Sequence, residues 1–203
     1  MVQALLIINV GMFLLELSYA GQLIGALALW PLDTGAYSLS AAVQPHFGIW
    51  QLVTYSFLHG GVMHLLLNMY ALWLFGARME LYWGSRAFLL YYFICVIGAG
   101  LVQLVVVSLT AKQGMIYPTI GASGGVFGLL LAFGMSFPNE RLLLIFPPIA
   151  LKAKWFVLIF GGIELWAGVT STEAGVAHFA HLGGMLFGFV LLRYWQRYPP
   201  GYT

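Results

Sequence analysis

Six apolar runs, at approximately 2–19, 61–77, 87–109, 123–137, 155–170 and 177–195, fill more than half of a 203-residue chain. Most approach the roughly 20 residues that carry a helix across a bilayer core about 30 Å thick. Charged residues are 7% of the sequence, against roughly a quarter in soluble domains, so no water-facing surface can be built from them. The pattern predicts an all-α membrane protein with six transmembrane helices. The net charge of +2 gives no reason to expect a nucleic-acid partner.

The eight basic residues carry information through their placement. With both termini cytoplasmic, Arg78, Arg86, Arg141, Lys152, Lys154, Arg193 and Arg197 fall inside and Lys112 alone falls outside, which is the positive-inside bias. The first run lacks a basic leading segment and a clear small-residue cleavage site, and reads as a retained helix. The connection from about 20 to 60 then lies on the outer side, with Asp33 its only charge. Trp30, Tyr37, Phe47, Trp50 and Tyr55 suit the headgroup level, while Pro31 and Pro45 discourage one continuous helix. No linker, low-complexity tract or convincing repeat divides the chain, so 1–203 reads as a single domain. Cys95, the only cysteine, rules out an intrachain disulfide and reads as inert packing.

Chemistry enters at two run starts: Gly121-Ala122-Ser123-Gly124-Gly125 and Ala180-His181-Leu182-Gly183-Gly184. They place a serine and a histidine, the partners of a nucleophilic dyad, inside the apolar layer. At a rise of about 1.5 Å per residue, His64, Asn68, Ser123 and His181 come to roughly 21, 15, 22 and 18 Å above the inner face. Three helices thus deliver polar groups to one level. The fourth run covers only about 22 Å before Pro138 and is too short to cross alone. Its outer connection, near 114–120, must therefore dip below the surface, which is tolerated where backbone is buried in protein or lines a water-filled cavity. Ser123 would sit at a helix N-terminus, whose unpaired N–H groups favour a developing oxyanion. Gly124-x-x-x-Gly128 and Gly184-x-x-x-Gly188 have the spacing that lets membrane helices approach backbone to backbone, which would bring Ser123 and His181 within hydrogen-bond reach.

Gly121-Ala122-Ser123-Gly124, Ala180-His181-x-x-Gly184-x-x-x-Gly188 and the upstream His64-x-x-x-Asn68 resemble the motif set of the rhomboid intramembrane serine proteases. The stretches Trp50-Gln51-Leu52-Val53-Thr54 and Phe57-Leu58-His59-Gly60 are also similar to bacterial members. The resemblance implies a six-helix core without an added cytosolic domain, in a bacterial-type cytoplasmic membrane with the site toward the outer side. It implies Ser123 as nucleophile, His181 as general base and then acid, no acidic third member, and no cofactor or metal. His64 and Asn68 would donate hydrogen bonds to the oxyanion beside the Ser123 N–H. Substrates would be single transmembrane segments with small or helix-weakening residues, entering between the second and fifth helices. Oligomeric state does not follow. Two positions depart from the family pattern: Phe127 stands where a tyrosine often packs on the histidine, and Gln51 where an arginine often follows the loop tryptophan.

Other readings compete. His178, one turn before His181, could act as base, and Glu164 is a costly carboxyl in the fifth run, read as structural ahead of catalytic. His46 and His59 read as loop hydrogen-bonders. Gly121-x-Ser123-x-Gly125 matches the nucleophile elbow of α/β hydrolases but lacks the strand that motif needs. His59, His64, His178 and His181 could hold a metal, without an HExxH-type base or clustered acidic ligands. A rhomboid-like chaperone or translocation factor would share the fold and bind transmembrane clients uncut, though such proteins typically lack the serine, the histidine or both.

Overall fold

The computed structural model describes residues 1–32, 46–143, 149–170 and 177–200; Asp33, Tyr37 and Pro45 of the long connection lie outside the described residues. The elements are α1 (Val2–Leu27), α2 (Gln51–Thr54) running into a 3-10 turn (Tyr55–Phe57), α3 (Val62–Ala71), a π turn (Leu72–Gly76), α4 (Ala77–Trp83), α5 (Ser85–Ala111), α6 (Ser123–Ser136), β1 (Arg141–Leu143), β2 (Ala150–Lys152), α7 (Ala153–Thr170) and α8 (His178–Arg197). Each of the six apolar runs lies on helix. Among the described residues, three helices, α1, α5 and α7, are long and apolar enough to cross a membrane. The count becomes four if the segment Gln51–Phe57 and the helical stretch Val62–Trp83, bent by 103° to each other, form one span. Helix α6 is shorter, at 14 residues.

Local chemistry sets the boundaries. Gly84, at φ 81°, separates α4 from α5, a conformation that glycine adopts without a Cβ penalty. Helix α6 ends where Phe137 precedes Pro138, because a following proline disfavours the helical region; Phe137 has φ −129° and ψ 56°. Beyond it, β1 and β2 pair antiparallel with Leu142 opposite Leu151. This small ribbon is a departure from the all-helical expectation.

Helix α5 forms the centre, with α6 and α8 against it. In lipid the hydrophobic effect does not drive helices together, so close packing and interhelical hydrogen bonds must do so. Glycine provides the closeness: a Cβ on Gly128 would collide with Cys95, one on Gly188 with the Tyr91 hydroxyl, and one on Gly184 with the Gly124 carbonyl oxygen. Tyr91 donates its hydroxyl to the Gly128 carbonyl at 2.9 Å and Tyr55 to that of Val96 at 2.8 Å. Cys95 is fully buried in this layer.

The segment around α2 is fastened to the end of α1. Trp50 Nε1 donates to the Ala26 carbonyl at 2.9 Å and Thr54 Oγ1 to that of Leu27 at 2.7 Å. Trp30 and Tyr55, expected at the headgroup level, are instead buried against protein, while Trp50 is exposed. Gln51 is buried, accepting the Trp30 N–H at 3.1 Å and donating to the His46 carbonyl at 3.0 Å. A neutral amide therefore does the anchoring here, since it can accept and donate at once, whereas an arginine could only donate.

Candidate active site

The approach to Ser123 is held by two segments. Leu29 and Thr119 exchange two backbone hydrogen bonds of 2.9 Å, and the Gly121 N–H donates to the Tyr55 carbonyl at 2.9 Å. Gly121 has φ 127°, a region that side chains with a Cβ rarely adopt. The chain then turns into α6, whose first helical bond runs from the Val126 N–H to the Ala122 carbonyl at 3.1 Å. Ser123, Gly124 and Gly125 thus supply N–H groups of the open first turn. The pairing of Leu29 with Thr119 is an isolated bridge, not the sheet strand of a nucleophile elbow.

The glycine contact between α6 and α8 brings Ser123 to His181. His181 Nε2 lies 2.7 Å from Ser123 Oγ. The Phe127 ring stacks on the imidazole, 4.2 Å between centroids and 7° from parallel. The departure at this position therefore retains the ring contact without a hydroxyl.

Helix α3 places His64 and Asn68 one turn apart on the wall of a cavity of about 990 Å³, which Ser123, Phe127 and His181 also line. Asn68 Nδ2 donates to the His64 carbonyl at 2.9 Å, and the Gly60 N–H donates to His64 Nδ1 at 3.3 Å. An Nδ1 that accepts leaves the proton of a neutral imidazole on Nε2. That edge faces Gly121, where a Cβ would come 2.9 Å from His64 Cε1 and Nε2 and 3.6 Å from Ser123 Oγ.

Glu164 calls for a correction. No acidic partner was expected for His181, yet His181 Nδ1 lies 2.8 Å from Glu164 Oε2. His178 Nδ1 lies 2.7 Å from the same oxygen. His178 thus shares the carboxylate with His181 and does not replace it beside Ser123. The three donor atoms lie within 4.8 Å of one another, so the metal-ligating geometry among the described residues belongs to Glu164, His178 and His181, without His59 or His64. The sequence does hold a signal for this cluster: His178 and His181 share one face of α8, and Glu164 is the one acid of the preceding helix.

Glu16 escaped sequence reading. It is buried on α1 and its Oε2 accepts the His59 N–H at 3.0 Å. The His59 ring packs edge-on against His64, 5.1 Å between centroids. A carboxyl in an apolar run was its only signal.

The Rhomboid domain family model matches residues 46–197. The chain belongs to the rhomboid family. It is 33% identical over 181 residues to RHOMBOID-like protein 1 of Arabidopsis thaliana, covering 89% of this chain and 43% of that relative. It is 32% identical over 133 residues to Rhomboid protein 1, mitochondrial, of Saccharomyces cerevisiae, covering 66% and 38%. With Presenilin-associated rhomboid-like protein A, mitochondrial, of Danio rerio, the identity is 30% over 155 residues, covering 73% and 39%. The rhomboid chain therefore spans about two-fifths of the length of these relatives. Plant and mitochondrial relatives give no support to the bacterial cytoplasmic membrane that the sequence resemblance implied.

Proposed function

We propose that this rhomboid chain is an intramembrane serine endopeptidase that cleaves transmembrane segments of other proteins. The observation that carries the reading is the 2.7 Å contact between Ser123 Oγ and His181 Nε2 on the wall of the cavity that His64 and Asn68 share. Ser123 attacks the scissile carbonyl while His181 takes its proton, then returns that proton to the leaving amine. The Ser123 N–H, His64 and Asn68 face the developing oxyanion. Gly121 and Phe127 shape the approach and hold the imidazole, and Gly124, Gly184 and Gly188 let the helices meet. A substrate helix must partly unwind, because its own hydrogen bonds otherwise shield the peptide.

The proposed setting is an integral, multi-pass membrane protein with six crossings. Both termini and the basic connections would lie on the cytoplasmic side and the site toward the opposite face. Proteolysis of a generic transmembrane substrate in liposomes, wild type against Ser123→Ala, tests the reading. Cleavage should vanish in the variant, and a serine-directed fluorophosphonate should label wild type alone. Ser123→Ala that still cuts would refute it. Binding of transmembrane segments by wild type without cleavage would instead favour a chaperone.

A further inference from the structure

Glu164 is the group that this mechanism leaves unused. It lies on α7, with its side chain and those of His178 and His181 all largely buried. A carboxyl at such a place is expensive in an apolar span and persists where it has defined partners. Here the partners are two imidazole nitrogens on one oxygen, at 2.7 Å from His178 and 2.8 Å from His181. Simple satisfaction of the carboxylate would not require His181, since His178 Nδ1 already lies within hydrogen-bond distance of the same oxygen.

The second bond has a chemical consequence. A neutral imidazole carries one N–H. With that hydrogen on Nδ1 and directed at Glu164, Nε2 presents its lone pair to the Ser123 hydroxyl, the arrangement needed to accept the proton. The opposite tautomer would donate to Ser123 Oγ and could not act as base. Phe127 stacks on the ring face, so the imidazole is constrained in its plane and at both nitrogens.

We propose that Glu164 is a positioning residue that fixes the tautomer and orientation of His181, extending the pair to a Ser-His-Glu triad in which His178 holds the carboxylate. The role rests on the protease reading. During attack the Ser123 proton passes to His181 Nε2 as the Oγ–carbonyl bond forms; the Nδ1 hydrogen stays on the ring and Glu164 remains ionised. The imidazolium then faces a carboxylate where water is scarce. On collapse of the tetrahedral intermediate the same proton goes to the leaving amine. His178, bonded through Nδ1 to Glu164, keeps the carboxylate from rotating away.

The test uses the full chain in liposomes with a transmembrane substrate. Glu164→Gln should lower kcat a hundredfold or more, toward the roughly 10⁴-fold loss seen when a triad carboxylate becomes an amide, with KM changed less than about threefold. Nitrogen-15 spectra of labelled histidine should show His181 of the wild type as the Nδ1–H tautomer, and this measurement needs no variant to fold. Three results would overturn the proposal: kcat of Glu164→Gln within about threefold of a Ser123-dependent wild type, a wild-type His181 in the Nε2–H form, or resting wild-type enzyme whose cleavage requires a bound zinc ion on Glu164, His178 and His181. Wild type without Ser123-dependent cleavage defeats the protease reading instead, and the tautomer then decides Glu164 independently.

Discussion

Replacing Gly121 by alanine adds one methyl group at the most constrained backbone position of the site. Its φ of 127° is strained for any residue with a Cβ, at about 1–3 kcal/mol. The new carbon would also lie 2.9 Å from the His64 ring, where ordinary contact begins near 3.4 Å, so the ring must yield by about half an ångström. Catalytic groups tolerate about that much error before geometry suffers, and full loss of one oxyanion donor costs about 2.7–4 kcal/mol. Displacement without loss should therefore cost about 1.4–2.7 kcal/mol of transition-state stabilisation, a tenfold to hundredfold fall in kcat. Gly162→Ala on α7 is the control, since its Cβ would meet nothing within 4 Å. The measurement is kcat in liposomes alongside reversible unfolding in mixed micelles. The control should keep wild-type kcat, while Gly121→Ala loses both activity and about 1–3 kcal/mol of stability. Wild-type kcat and stability in Gly121→Ala would refute the reasoning.

Ser123→Ala and His181→Ala should each abolish cleavage, with the double variant little worse than either, because groups acting as a unit are non-additive; additive losses in single-turnover assays would deny that they act together. His64→Ala or Asn68→Ala should lower kcat more than about tenfold with modest change in KM, since oxyanion donors act mainly in the transition state; a loss confined to KM would assign them to substrate binding. Gln51→Ala strands the Trp30 N–H and should cost about 1–3 kcal/mol, read by unfolding and by faster proteolytic nicking near α2. Unchanged stability would show that the amide anchors nothing.

The contact between Ser123 and His181 was legible in the sequence because their glycines are spaced for backbone contact and both open an apolar run. The starting point of α6 was legible for the same reason. Gln51 was visible only as a departure, since its two hydrogen bonds depend on where the α1 end and residue 46 come to rest. Glu164 could be seen as costly, but its partner is set by the rotation of α7 against α8, which apolar composition leaves nearly free. The bend between α2 and α3 and the β1–β2 ribbon were also hidden. Each is settled by packing around Leu58–Gly61 or by short strands of three residues, where periodicity has nothing to count.

The contact of Gly124 with Gly184 has an entropic consequence. Two side chains in hydrogen-bond contact, carried on helices that touch through their backbones, have few soft degrees of freedom between them: one torsion of Ser123 and two of His181. The stacked Phe127 ring and the Glu164 oxygen restrict the latter two. In the proposed protease, the disorder that an encounter between hydroxyl and imidazole would otherwise give up at every turnover would be surrendered once, when the helices assemble, and substrate binding would not have to supply it again.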